Sequence, residues 1–183
     1  MFPVPFRVVL DANVLFPFSL RDTLLRAAER GLFQLYWSQE ILAEARRNLV
    51  ASAQIREEQA DRLFSMMADA FPEAMVTGHE ALVPVMKNDP KDRHVVAAAV
   101  KVGAQVIVTN NLRDFHDLPE GVEVQSAGEF LCNLFDLAPD VMVDLLTAQA
   151  AALRKPARTL DELLAGLAKL VPDFVELVNA RRR

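Results

Sequence analysis

Acidic side chains fall at several places where a folded chain could turn them toward one ligand. Asp11 closes the short apolar run Arg7–Leu10, and Asn13 follows two residues later. Asp114 comes after the run Gln105–Thr109, at the end of the polar segment Asn110-Asn111-Leu112-Arg113. Asp92 opens a helical stretch. Steps of about 100° put it on the same side as Val95, Val96, Ala99 and Val102, the side that faces a core. Glu44 lies at the edge of the apolar stripe made by Ile41, Leu42, Ala45 and Leu49. Each has a plainer role open to it. Asp11 and Asp114 could shape turns, Asp92 could offset a helix dipole, and Glu44 could sit in solvent. As a set they carry a chemical meaning. Carboxylates brought close repel one another unless a cation neutralises them. An oxygen-only donor set suits Mg²⁺ or Mn²⁺ and not Zn²⁺, which takes His or Cys. Such a cluster fits hydrolysis of a phosphodiester by a metal-activated water.

Other chemistries lack their residues. His79, His94 and His116 are scattered, with no H-E-x-x-H or C-x-x-C partner, and there is no G-x-G-x-x-G, Walker loop or G-x-S-x-G. The single cysteine, Cys132, cannot form an internal disulfide and reads as a core residue beside Phe130 and Leu131. No segment approaches the roughly 20 apolar residues of a membrane span. The N-terminal run MFPVPFRVVLD lacks a basic flank and a cleavage site, and reads as a first strand. A cytoplasmic location without membrane attachment is the expectation. The net charge of −5 argues against a nucleic-acid partner, unless some of the acids hold metal. The excess lies in residues 1–135, because residues 136–183 carry seven basic and seven acidic side chains.

The elements that must position these groups follow an alternating rhythm. Strand-like runs occur at Arg7–Leu10, Phe33–Trp37, Ala74–Thr77, Gln105–Thr109 and Val122–Gln125. Helical patterns separate them. Arg21–Arg30 stops at Gly31, Ser38 caps a helix through Leu49, and Gln54–Phe71 ends before Pro72. Asp89-Pro90 opens a helix that ends at Gly103, and Ala127–Phe135 is another. This predicts an α/β protein with a parallel sheet, helices on both faces and right-handed crossovers. In such sheets a ligand sits at the carboxyl ends of the strands, where the strand order reverses. After Pro139 the pattern is helical throughout. Thr159 and Glu162 form a capping-box pair ahead of Leu160–Leu170, and Pro172 opens a last helix. The chain thus divides into an α/β domain, residues 1–135, and a helical extension, residues 136–183, read either as a surface for association or as helices that pack on their own sheet.

The spacing of these groups resembles the PIN domain. The resemblance rests on Val8-Val9-Leu10-Asp11-Ala12-Asn13, on Glu44 in WSQEILAEARRNL, on Asp92 in DPKDRHVVAAAV, and on Thr109, Asn111, Asp114 and Phe115 in VTNNLRDF. It implies a five-stranded parallel sheet of order 3-2-1-4-5 and a Mg²⁺- or Mn²⁺-dependent endoribonuclease. It implies that Asp11, Glu44, Asp92 and Asp114 are catalytic, that Asp11, Asp92 and Asp114 ligate metal, and that Asn13, Thr109 and Asn111 support them. Glu40, on the helix of Glu44, is a rival to it. Stand-alone bacterial proteins of this type resemble the VapC toxins, which implies an RNA substrate, an antitoxin partner and a homodimer as a further expectation. The reading from a different class is a PIN-like RNA- or protein-binding scaffold without turnover.

Overall fold

The computed structural model describes residues 6–182, so the N-terminal run before Phe6 and the final Arg183 lie outside the described residues. The strands are β1 (Arg7–Leu10), β2 (Gln34–Ser38), β3 (Met75–Val76), β4 (Val106–Val108) and β5 (Glu123–Gln125). They form one parallel sheet of order β3-β2-β1-β4-β5, as the resemblance implied. β1 and β4 are central and carry apolar residues on both faces. Val8, Val9, Leu10, Ile107 and Val108 are fully buried, each worth about 1.5–3 kcal/mol of transfer free energy.

The connecting helices are α1 (Ala12–Leu15), α2 (Phe18–Glu29), α3 (Gln39–Ala51), α4 (Glu57–Ala70) and α5 (Arg93–Val102). The chain steps outward from β1 to β3, then returns across β2 and β1 to reach β4. Right-handed crossovers therefore place α5 on the face opposite α2 and α3. The switch point lies between the carboxyl ends of β1 and β4. Two elements differ from expectation. The short α1 follows β1 at once, capped by Asp11, and α2 begins three residues before Arg21, with Pro17 at its N-cap. The Asp89-Pro90 signal opens a single 3-10 turn, Pro90–Asp92, and the α-helix proper starts at Arg93.

The last four helices are α6 (Ala127–Leu137), α7 (Pro139–Ala152), α8 (Leu160–Leu167) and α9 (Pro172–Arg181). Thr159 and Glu162 form the expected capping box, with the Thr159 N–H donating to Glu162 Oε2 at 2.8 Å. These helices pack on their own domain. α7 and α8 lie on α2, α9 lies on α6, and their buried residues join one apolar cluster with the sheet. Within that contact is a buried polar latch. Thr23 Oγ1 donates to Gln149 Oε1 at 2.8 Å, and Gln149 Nε2 donates to Ser19 O at 3.0 Å, with Thr23 and Gln149 fully buried. Gln149→Ala removes both bonds and opens a cavity. It is expected to cost about 2–4 kcal/mol in urea unfolding while leaving any metal response of the distant sheet edge unchanged.

Candidate active site

Asp11 is placed by the sheet. Its backbone N–H donates to Val108 O at 3.0 Å, extending the β1–β4 pairing one residue past the strand. The side chain then turns up from the strand end and is 3% exposed. Oδ1 accepts from the Ala12 N–H at 2.7 Å, capping α1, and Oδ2 accepts from Thr109 Oγ1 at 2.8 Å and from Asn13 Nδ2 at 3.0 Å. Thr109 leaves β4 beside it. Its hydroxyl also accepts from Asn13 Nδ2 at 2.8 Å and from the Asn111 N–H at 3.1 Å. Asn13 Oδ1 accepts from the Asn110 N–H at 2.9 Å, and Asn110 Oδ1 accepts from the Ala127 N–H at 3.2 Å. The three residues expected to support the site are thus joined in one network around Asp11, and Asn110 carries it on to the first turn of α6.

Asp92 reaches the same place from the opposite side. Asp89 holds the turn by accepting from the Lys91 N–H at 3.1 Å, and the Asp92 N–H donates to Asp89 O at 3.0 Å. Asp92 is 8% exposed, and its Oδ2 is buried without a hydrogen-bond partner. Glu44 comes from α3, which Ser38 caps by accepting from the Ile41 N–H at 3.2 Å. Asp11, Glu44 and Asp92 line one cleft of about 760 Å³, together with Asn13, Lys91 and Asn111. Asp114 stands at its margin. Its carboxylate takes Lys91 Nζ at 2.6 Å and the Asn111 side-chain amide.

The same cleft contains residues that the sequence reading had set aside. His94 lines it, with Nε2 at 3.9 Å from Glu44 Oε2 and Nδ1 at 3.8 Å from Glu40 Oε2. His79 is buried behind Glu40, 3.6 Å from the same oxygen. Only His116 stands apart, paired with Asp117. Arg47 and Asn48 complete the α3 wall. Their signal was in the spacing. Glu40, Glu44, Arg47 and Asn48 recur at four, seven and eight residues along one helix, and His94 is two residues from Asp92.

The electrostatics separate the acids. The Asp92 carboxyl is pushed up to about 7, first by burial and then by the charge of Asp11. Asp11 is raised as well, chiefly by burial, against which the Thr109 hydrogen bond works. Asp114 is lowered, chiefly by its bond to Lys91. Among the described residues no three His, Cys, Asp or Glu side chains enclose an ion as they stand. The donor chemistry nevertheless fits a hard divalent cation. Two buried carboxylates stay raised even though the charge of Lys91 acts on Asp92 and that of His94 on Asp11, one of their oxygens is unsatisfied, and the part-exposed Glu44 is close enough for its charge to be felt at Asp11.

A parallel 3-2-1-4-5 sheet with carboxylates gathered above its switch point defines a class, and residues 7–113 match the PIN domain model, so this chain belongs to the PIN-domain family. More particularly, residues 127–180 match the model of the VapC50 C-terminal domain. The chain is also 36% identical over 112 residues to VapC50 of Mycobacterium tuberculosis strain H37Rv, a protein named as a candidate ribonuclease. That match covers 60% of this chain and 65% of the mycobacterial protein. No solved structure gives a significant match.

The raised carboxyls set a pH dependence. Asp92 ordinarily titrates near 3.8, and in the fold near 7. Between those values the folded chain binds more protons than the unfolded one. The contribution is fully present below the lower value and is lost as pH rises through about 7. In EDTA, the melting temperature should therefore rise as pH is lowered from 7.5 toward 5. Asp92→Asn should flatten that slope and melt no lower than wild type at pH 7.5, because one Asp92 oxygen bonds nothing and an amide can donate to the Asp114 carboxylate that Asp92 contacts. Asp11 is the poorer place for this substitution. An amide there sets a donor against the Ala12 N–H or against Asn13 and Thr109. Melting curves at four or five pH values check both statements.

Proposed function

We propose that this chain is a Mg²⁺- or Mn²⁺-dependent endoribonuclease, acting as the toxin of a toxin–antitoxin pair. The observation that carries the reading is the buried, unpartnered Oδ2 of Asp92, in an open cleft lined also by Asp11 and Glu44. A carboxylate left in that state is costly unless a cation completes it. In this reading Asp11, Asp92 and Asp114 serve the metal site and Glu44 stands beside them as the fourth acid. When bound, Mg²⁺ or Mn²⁺ supplies Lewis acidity that activates water and takes up charge on the phosphodiester. Thr109 and Asn13 hold the Asp11 carboxylate in its rotamer, and Asn111 holds that of Asp114. Arg47 and Asn48 offer the mouth of the cleft a cation and an amide for the RNA backbone.

The likeness to VapC50, at both the nuclease domain and the C-terminal helices, supports the toxin assignment. It brings with it a cognate antitoxin as partner, a homodimer as the working unit, and the cytoplasm as the place of action. No described helix is long and apolar enough to cross a membrane.

Incubation with total cellular RNA tests the activity. Cleavage should require Mn²⁺ or Mg²⁺ and stop in EDTA. Asp92→Asn should lower it by about 100-fold or more, at or beyond the upper end for loss of a group that supports a metal. The product ends should be 5′-phosphate and 3′-hydroxyl, since activated water leaves the ribose 2′-hydroxyl uninvolved. A 2′,3′-cyclic phosphate would overturn the mechanism. Absence of cleavage with every metal would favour the scaffold reading.

A further inference from the structure

We propose that His94 is a nitrogen ligand to the divalent ion, with Nε2 turned to the cleft beside Glu44 and the opposite edge of its ring held by Glu40. The proposal rests on the metal-dependent reading. It adds a ligand outside the carboxylates, a role for Glu40 and a preference for Mn²⁺ over Mg²⁺.

The two edges of the His94 ring meet different surroundings. Nδ1 is buried without a hydrogen-bond partner, and Glu40 Oε2 lies 3.8 Å from it. Nε2 is on the open side, in the cleft, 3.9 Å from Glu44 Oε2. Neither separation is a hydrogen bond. An ion with bonds of about 2.1 Å reaches across as much as about 4.2 Å, so one ion can span the gap between Nε2 and Glu44. It arrives with its water shell, which admits it to the open edge of the ring and not to the sealed one. A neutral imidazole has one N–H and one lone pair. A lone pair set against a carboxylate costs most where water cannot come between them. The N–H therefore belongs on the buried Nδ1, toward Glu40, and the lone pair on Nε2, toward the cleft.

Glu40 is placed for that task. Its Oε2 is also 3.6 Å from Nε2 of His79, whose side chain is 4% exposed and whose two ring nitrogens have no hydrogen-bond partner. Two imidazole edges, one from the start of the Glu80–Val85 turn and one from α5, thus converge on one carboxylate oxygen. Glu40 serves the histidines, and Glu44, one turn further along α3, serves the cleft. A carboxylate that takes the far N–H of a metal-bound histidine fixes its ring and raises its basicity. Without an ion, the charge of His94 acts on Asp11; a bound ion takes the place of the Nε2 proton. First-row transition ions accept imidazole, whereas Mg²⁺ takes oxygen and keeps its waters, so a nitrogen here favours Mn²⁺.

The test looks for nitrogen on the ion. The full chain loaded with Mn²⁺ is measured by electron spin-echo envelope modulation, which detects nitrogen bonded to the metal. Wild type should show imidazole nitrogen, with a pattern that changes when histidine is supplied as ¹⁵N. His94→Gln should remove the signal and lower the Mn²⁺-to-Mg²⁺ affinity ratio by about tenfold. Glu40→Ala should weaken Mn²⁺ binding by about 10–100-fold, and Glu40→Gln, which still accepts the N–H, should recover most of that. In crystals of Mn²⁺-loaded wild type, the anomalous peak should lie within bonding distance of His94 Nε2, a result that depends on no variant's folding. Absence of imidazole nitrogen from wild type, or nitrogen that survives His94→Gln, would overturn the role of His94 while leaving metal dependence intact. No bound Mn²⁺ in any of these proteins would overturn the metal-dependent reading itself.

Discussion

Burial drives the carboxylates of Asp11 and Asp92 toward protonation, helped by the charge of Glu44 at the first and of Asp11 at the second, yet the fold holds both in one cleft. Most of the surrounding architecture can be understood as the means of holding them there. One group comes from the end of a central strand, where parallel pairing on both sides leaves the backbone no freedom. The other comes from a turn clamped by Asp89 and followed by a helix whose Val95, Val96, Ala97, Ala98 and Ala99 are all buried. Neither can retreat without breaking a ladder or unpacking a core, so the repulsion stays in the cleft as a demand for positive charge that Lys91 and His94 meet only in part.

The position of that demand is set by topology. The chain turns back only once, between β3 and β4, and the crevice this leaves lies above β1 and β4. Asp11 and Thr109 are the first residues past those strands, and one hydrogen bond between them closes the seam. The helical tail takes no part in the cleft, but it covers α2 and α6, which would otherwise show apolar faces to water. Cys132 belongs to this packing. It is half-buried among carboxylates, and its thiol is pushed up, chiefly by burial, which keeps it protonated and inert.

Much of this was legible in the residues. The five strands, the glycine stops at Gly31 and Gly103, and the caps at Ser38, Asp89 and Thr159 depend on local patterns and were read from them. The acids after β1 and β4 were legible because a parallel sheet fixes where strand ends go. Three things were not. The short α1 spans four residues, too few to show a period. The histidines looked scattered because His79 and His94 are far from Glu40 in sequence, and only the fold brings them together. The tail showed apolar stripes that specify burial but not against what, and the latch between Thr23 and Gln149 carries no sequence signature.

Asp11 does two jobs with two oxygens, one turned to the network of Thr109 and Asn13, the other capping α1. Asp92 does one, and its free oxygen bonds nothing. Under the proposed function, the two residues would therefore fare differently in a descendant released from catalysis. Drift could remove Asp92 at once and even gain stability by it, whereas Asp11 would be kept for the sake of the helix it starts. An inherited aspartate at the end of β1 is thus a record of ancestry, and the aspartate before α5 is the better witness to a working enzyme.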